Sequence, residues 1–436
     1  MNRRILPIVV LLVVGASGRA GAQNTAPTQL TLQDAEAMAL KNHPQVLAAR
    51  AISLESNQFV VETRSAYFPT LNGDLTGSGG NPGGRIGAGY LPASSLFDRF
   101  GVGLSVSQLI TDSGRTPNLV ASSRLQAQAS QQTYEATRYD VLLAVNQAYY
   151  EALRAQALIK VAEETVAARQ LVADQVSTLA KNKLRSQLDV SFAEVNLSQA
   201  KLLLTRAQDQ VRATFAELTR ALGSQEESNY KLADEPLPPS PPSDVAPLIA
   251  QAFSNRPDLL SLQFQRDAAM KFERAERDLS FPTVSLVGVG GAIPAINQIL
   301  LPRTIPNNYE GAALDVEVPI FNGRLYAARR EAARYRAQAE DQRVRDLEER
   351  IARDVRIAWS RSTTAFQNLD VTAQLLRQAT LALDLAQGRY NLGLSSIVEL
   401  SQAQLNLTQA EIENLSAKYD YQGVYATLQY TIGLLR

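Results

Sequence analysis

The stretch Ser396 to Ala410, Ser-Ile-Val-Glu-Leu-Ser-Gln-Ala-Gln-Leu-Asn-Leu-Thr-Gln-Ala, nearly repeats Ser186 to Ala200, Ser-Gln-Leu-Asp-Val-Ser-Phe-Ala-Glu-Val-Asn-Leu-Ser-Gln-Ala, at an offset of 210 residues. The same offset brings Leu222-Gly223 onto Ile432-Gly433. The chain is an internal duplication, so one half constrains the fold of the other. Each copy opens with the spacing of a capping box, Ser186-x-x-Asp189 and Ser396-x-x-Glu399, in which side chains satisfy the orphan N–H groups of a first helical turn. Behind each cap, apolar residues recur every seventh position on two tracks. One is Val190, Leu197, Leu204, Val211 and Leu218, answered by Leu400, Leu407, Tyr421, Leu428 and Leu435 with Asn414 interrupting. The other is Leu188, Val195 and Leu202, answered by Val398, Leu405, Ile412 and Tyr419. Two residues of offset is about 200° of helical rotation, so the tracks lie on nearly opposite flanks, where an ordinary surface helix has one stripe. Such a helix needs neighbours on both sides, as a stave does in a wall.

The first residues read as targeting rather than structure: Arg3 and Arg4, the apolar run Ile5 to Val14, and Ala20-Gly21-Ala22 have the order of a signal peptide over 1–22. Without Arg3, Arg4 and Arg19 the 43 basic residues fall to 40 against 43 acidic ones, a balance that does not suggest nucleic acid as partner. There is no cysteine, hence no disulfide framework. No later apolar run is long enough for a membrane-spanning helix, so a membrane crossing would have to use strands. Trp occurs once, and Ala, Gln, Leu and Arg fill the long segments. That composition buries apolar surface along helix seams and favours an elongated architecture.

A first helix is expected from about Thr31 to Ala66 and its counterpart from Val245 to Leu279. Asn42-His43-Pro44 and Asn255-Arg256-Pro257 should break or restart these helices. Phe68-Pro69-Thr70-Leu71 and Phe281-Pro282-Thr283-Val284 then lead into strands, where the period becomes two. Leu71, Gly73, Leu75 and Gly77 alternate with Asn72, Asp74 and Thr76. Phe100, Val102, Leu104 and Val106 alternate with small residues, and Leu314, Val316, Val318 and Ile320 alternate with Asp315 and Glu317. Strands are expected near 69–78, 99–110, 282–291 and 310–321, apolar on one face and small or polar on the other, as in an outer-membrane barrel. The loops Ser78 to Asp98 and Gly291 to Tyr309 would then be external. Gly-Arg turns at Asp112 to Arg115 and Asn322 to Arg324 open long helices, about Thr116 to Ala180 and Arg324 to Tyr390. The charges between Arg329 and Asp354 read as a solvated face. The organisation is thus a first repeat over 23–235, a Pro-rich linker at 236–244 and a second repeat over 245–436. Four strands cannot close a barrel, and open edges cannot face lipid. Three chains would supply twelve strands and twelve staves.

These features together, with Gln108-Leu109-Ile110, Val318-Pro319-Ile320-Phe321-Asn322-Gly323-Arg324 and Tyr390-x-x-Gly393…Glu399-Leu400, resemble the TolC-like outer-membrane efflux protein family over essentially the whole mature chain. The resemblance implies a homotrimer: a twelve-stranded β-barrel in outer-membrane lipid, continuous with a periplasmic α-helical barrel. It also implies a periplasmic adaptor (membrane fusion protein) and an inner-membrane transporter as partners, in an efflux pump or type I secretion system. In that family, carboxylates near the start of the last long helix ring the periplasmic aperture. Glu399 matches such a position, and Tyr390 and Gly393 match the turn before it. Ser395 stands where some members have a constraining Arg, and Gln402 where some have a second carboxylate. Arg185, in the opposite tip, is then the candidate for the missing cation. The aperture candidates are thus Glu399, Asp189, Arg185 and Tyr390, against the bland reading in which Glu399 only completes its cap, as Asp189 does. Leu184, Leu392 and Leu394 in the tip turns either dock an adaptor or pack internally.

Catalysis has little support. Ser198-x-x-Lys201 falls within the heptads and lacks companion motifs. His43 is the only histidine and precedes a proline, and no metal-ligand cluster, phosphate loop or nucleophile elbow appears, so no cofactor is expected. The alternative to a channel is a trimeric coiled-coil structural or adhesive outer-membrane protein, which would place its strands at one terminus rather than within both repeats. The cargo is not legible.

Overall fold

The computed structural model describes residues 29–79, 85–86, 94–95, 99–224, 230–296 and 308–435. The expected signal segment and most of the two external loops lie outside these residues. A short strand β1 (Gln29–Leu30) leads into α1 (Leu32–Asn42) and α2 (Pro44–Arg64). Thr31 caps α1 by accepting the Asp34 N–H. The break at His43 has a use: the imidazole Nδ1 accepts the Gln45 N–H at 3.3 Å, and Pro44 occupies the first helical position, where a missing N–H costs nothing. A single 3-10 turn at Ser65–Tyr67 then feeds β2 (Thr70–Ser78). After the short pair β3 (Arg85–Ile86) and β4 (Ser94–Ser95), β5 (Arg99–Thr111) returns. The long helix α3 (Arg115–Lys181) starts from Gly114 at φ +105°, with Asp112 Oδ2 accepting both the N–H and the hydroxyl of Thr116 at 2.6 Å. It is followed by α4 (Gln187–Ala221) and a short strand β6 (Lys231–Leu232), parallel to β1.

The second repeat runs α5 (Ala246–Asn255), α6 (Pro257–Asp278), β7 (Thr283–Ile296), β8 (Asn308–Glu317), α7 (Leu325–Asn391) and α8 (Ile397–Thr431). Both α3 and α7 have 67 residues, and both α4 and α8 have 35, so each long stave spans about 100 Å. Two strand ends differ from the expected ones. β7 continues past Gly291 to Ile296, because Phe100 and Arg99 of β5 still supply ladder partners to Ala295 and Ile296. β8 stops at Glu317 although alternation continues to Ile320: Pro319 has no N–H to donate, and Ile320 and Phe321 project into solvent, about nine-tenths exposed.

The four longer strands form one antiparallel sheet in the order β2-β5-β7-β8. One face carries Leu71, Leu75, Val102, Leu104, Val106, Leu286, Leu314 and Val316; the other carries Asn72, Asp74, Ser105, Ser107, Ser285, Asp315 and Glu317. Both outer edges, β2 and β8, are unpaired in the single chain. Among the described residues no helix is long and apolar enough to cross a membrane.

Below the sheet, α3 and α7 run the full height, while α2 with α4 and α6 with α8 stack end to end beside them. The stacking is tight where helices meet. Gly223, at φ +70°, ends α4 so closely against the α1/α2 break that a Cβ would stand 2.7 Å from His43 Cα, and Gly433 ends α8 against Asn255 in the same way. The first heptad track is covered within the chain: Val190, Leu197, Leu218, Leu400, Tyr421 and Leu428 are buried. Between its members lies a track that the apolar count overlooked, Ala193, Ala200 and Ala207 with Ala403, Ala410 and Ala417, all buried. Truncating a fully covered leucine such as Leu400 would cost about 2–5 kcal/mol. The other track is covered only where it ends, at the buried Tyr419. Leu188, Val195, Leu202, Val398 and Leu405 are 44–65% exposed.

The Pro-rich segment is no free tether. Backbone carbonyls of Ala233, Glu235, Pro239 and Pro242 accept from Tyr149, Gln422, Tyr421 and Trp359, so the segment straps α3, α7 and α8 together at mid-height.

Candidate functional site

The tips farthest from the sheet are two tight turns built alike. Each helix end closes with a pair of reverse hydrogen bonds around a residue in the left-handed region: Lys183 N–H to Ala180 O and Leu184 N–H to Leu179 O in the first, Gly393 N–H to Tyr390 O and Leu394 N–H to Arg389 O in the second. Gly393 takes its φ of +74° without strain, whereas Lys183 holds φ +60° with a side chain attached. Both turns therefore throw the following leucine outward. Leu184, Leu392 and Leu394 are 67–75% exposed, which removes internal packing as their role within this chain.

The next helix starts diverge. Asp189 closes a full capping box: Ser186 Oγ accepts the Asp189 N–H at 3.2 Å, and Asp189 Oδ2 accepts the Ser186 N–H at 3.0 Å. At the second start only half of the box forms. Ser396 Oγ accepts the Glu399 N–H at 3.4 Å, but the Glu399 carboxylate turns to Arg389, at 3.1 Å from Nε. Completion of the cap is thus not what Glu399 does. The pair is about half exposed, where such bridges contribute little to stability.

Arg185 does not reach Glu399 either. Its Nη2 donates to the Tyr390 carbonyl at 2.9 Å and its guanidinium lies 4.1 Å over the Tyr390 ring, at the negative end of α7. One repeat's turn thereby clamps the other's. The Tyr390 ring is buried between them, and its hydroxyl has no hydrogen-bond partner among the described residues, as is true of Ser395 Oγ. Burial pushes the Tyr390 phenol up, while Arg185 draws it down and Asp189 raises it.

Arg389 escaped the sequence reading. A basic residue in the last turn of one helix and an acid in the first turn of the next, joined by a tight turn, were the available signal. Two links higher up also escaped it. Asn196 Nδ2 donates to Ser401 Oγ at 2.7 Å, and the buried Arg169 donates to Thr408 Oγ1 at 3.4 Å, both crossing to α8. Arg169 is pulled below the usual guanidinium range by burial, against the opposing pull of Glu411, whose own carboxyl is pushed up by burial and by Glu164. Among the described residues no group of three or more acidic or histidine side chains could hold a metal.

The described geometry is a four-stranded sheet on a long bundle of helices whose far turns are joined by polar contacts. The family model for outer membrane efflux proteins matches the chain twice, over 37–224 and 248–434, one match in each repeat. The chain belongs to the outer membrane efflux protein family. It is 24% identical over 399 residues to the outer membrane efflux protein BepC of Brucella suis biovar 1, covering 89% of this chain and 82% of that one. It is also 24% identical to the outer membrane protein TolC of Vibrio cholerae serotype O1, covering 99% and 96%. A crystal structure of a membrane protein from Pseudomonas aeruginosa superposes with a TM-score of 0.80 at 21% identity, covering 96% and 99%. The protein is accordingly an outer membrane efflux channel component that extends into the periplasm, and the family is one of ducts rather than known catalysts.

Proposed function

We propose that three copies of this chain form the exit duct of a tripartite efflux pump or type I secretion system. The duct conducts cargo passively from the periplasm to the exterior and has no catalytic role of its own. The observation that carries this reading is the incompleteness of the single chain. Its sheet has two open edges and its staves keep an exposed apolar track, Leu188, Val195, Leu202, Val398 and Leu405. Lipid tolerates no open sheet edge, and further copies satisfy strands and staves at once. Twelve strands make a barrel wide enough for a lumen, with the Asn72, Asp74 and Ser105 face inward and the Leu71, Leu104 and Val106 face toward lipid.

At the helical tips, Glu399 from three copies faces the axis and the Arg185–Tyr390 clamp holds the two turns of each chain together. A periplasmic adaptor docking on Leu184, Leu392 and Leu394 draws the turns apart and opens the aperture; an inner-membrane transporter supplies the energy. Conductance of the purified protein in planar bilayers tests this reading. Closed channels of low conductance that open in Arg185→Ala or Glu399→Ala support it. Purified trimers that insert and never conduct, in wild type or in either variant, favour a structural or adhesive protein instead.

A further inference from the structure

One transverse row of the sheet lines up a residue from each strand. Asp74 on β2 pairs with Gly103 on β5, Gly103 with Gly291 on β7, and Gly291 with Tyr309 on β8. Directly paired residues project from the same face, here the polar face of Asn72, Ser105 and Ser107. Two glycines leave the middle of the row without side chains, and the Tyr309 phenol lies down in the space. A Cβ at Gly103 would stand 2.5 Å from its hydroxyl oxygen, and one at Gly291 2.6 Å from the same atom. The ring is thus laid across two strands toward Asp74, yet remains 46% exposed.

Asp74, Thr76, Ile293 and Tyr309 line a groove of about 240 Å³. It combines a carboxylate, a hydroxyl and an aromatic face, and none of its lining residues is basic. An inorganic cation that keeps its water gains little from the ring. A substituted ammonium, with charge spread over alkyl groups, gains from both the ring face and the carboxylate. An anion is repelled by Asp74.

We propose that this row is a weak binding site for organic ammonium ions on the inner wall of the barrel, one per protomer. The site rests on the channel reading, which supplies the lumen. Its position in the sheet, about halfway along β2 and far from the helical tips, separates it from the Glu399 end. It would retain cationic organic cargo on exit.

The test uses the full-length protein in planar bilayers with tetraethylammonium added from the barrel side. Asp74→Asn and Tyr309→Leu are each expected to weaken block by about two- to fivefold, the scale of an exposed cation–π contact. Tyr309→Phe keeps the ring face and should block as wild type does, and block from the helical side should be unchanged by Asp74→Asn. Barrel-side block that is the same in wild type, Asp74→Asn and Tyr309→Leu overturns the site, as does a Tyr309→Phe variant as weak as Tyr309→Leu. Wild-type protein that never conducts overturns the channel reading, before any ammonium is added, and this site with it.

Discussion

Arg185→Ala should release the clamp between the two tip turns. The guanidinium supplies one charge-assisted hydrogen bond of 2.9 Å to the Tyr390 carbonyl and one stacked contact of 4.1 Å to its ring. A hydrogen bond to a charged group contributes about 1.5–3 kcal/mol and a cation–π contact at a partly exposed site about 0.5–1 kcal/mol. The Tyr390 carbonyl also accepts the Gly393 N–H at 3.0 Å, so the variant leaves no orphan acceptor and the lower end of each range applies. The clamp is then worth about 2 kcal/mol, roughly a thirtyfold change in the ratio of closed to open tips. Single-channel recording reads that ratio directly as the fraction of time spent open. Arg185→Lys keeps the charge but not the planar stack, and should fall between wild type and Arg185→Ala. An open fraction in Arg185→Ala equal to that of wild type, in protein of unchanged melting temperature, would refute the clamp.

Three further substitutions follow from the backbone and the caps. Lys183→Gly removes a side chain from a left-handed turn at φ +60° and should stabilise the tip by about 1 kcal/mol, seen as a higher denaturant midpoint in detergent. Gly223→Ala adds both left-handed strain and a Cβ 2.7 Å from His43 Cα, and should lower stability by about 2 kcal/mol or more in the same measurement. His43 is held below its ordinary value of 6.5, by burial first and Arg220 second, and its Nδ1 accepts the Gln45 N–H at the start of α2. A depressed pKa contributes stability above pH 6.5 that is lost as pH falls through the folded value. His43→Asn keeps a cap acceptor without a titrating ring, so its melting temperature should lack that acid-side decline.

Much of the fold was legible because it is periodic. The seven-residue recurrence from Val190 and from Leu400 marks staves, and the two-residue alternation from Leu71 and from Phe100 marks strands; both periods survive in the structure. What the sequence could not give was which flank of a stave a given neighbour covers. Val190 and Leu188 are equally apolar, yet one is buried in the chain and the other is 65% exposed, since the chain packs α3 and the start of α8 over one flank of α4 only. The buried alanines were passed over because a one-carbon side chain adds little to an apolar count, although its small size is what lets helix axes approach. The site was legible in place but not in pairing. Side-chain partners across a turn depend on rotamers, so the residue pattern offers Arg185 as the cation of the tip without showing that its acceptor is the carbonyl of Tyr390.

The two copies of the tip agree in shape and differ in chemistry. At an offset of 210 residues the two tips share their turn hydrogen bonds, a serine cap and an outward leucine. They share almost none of their polar side chains: Tyr390 answers Ala180, Arg389 answers Leu179, and Ser395 answers Arg185. Unequal tips can interlock, as Arg185 of the first does with Tyr390 of the second, while Arg389 and Glu399 pair within the second alone. The cost of that asymmetry is visible in Lys183, which keeps a side chain where its counterpart has glycine. A tip that served only to end two helices would have no reason to hold an aromatic hydroxyl in its interior without a partner, as Tyr390 is held among the described residues. Opening the tip would bring that hydroxyl back into contact with water. On the channel reading proposed above, that orphaned hydroxyl would narrow the free-energy gap between closed and open tips, and the clamp would fall to Arg185.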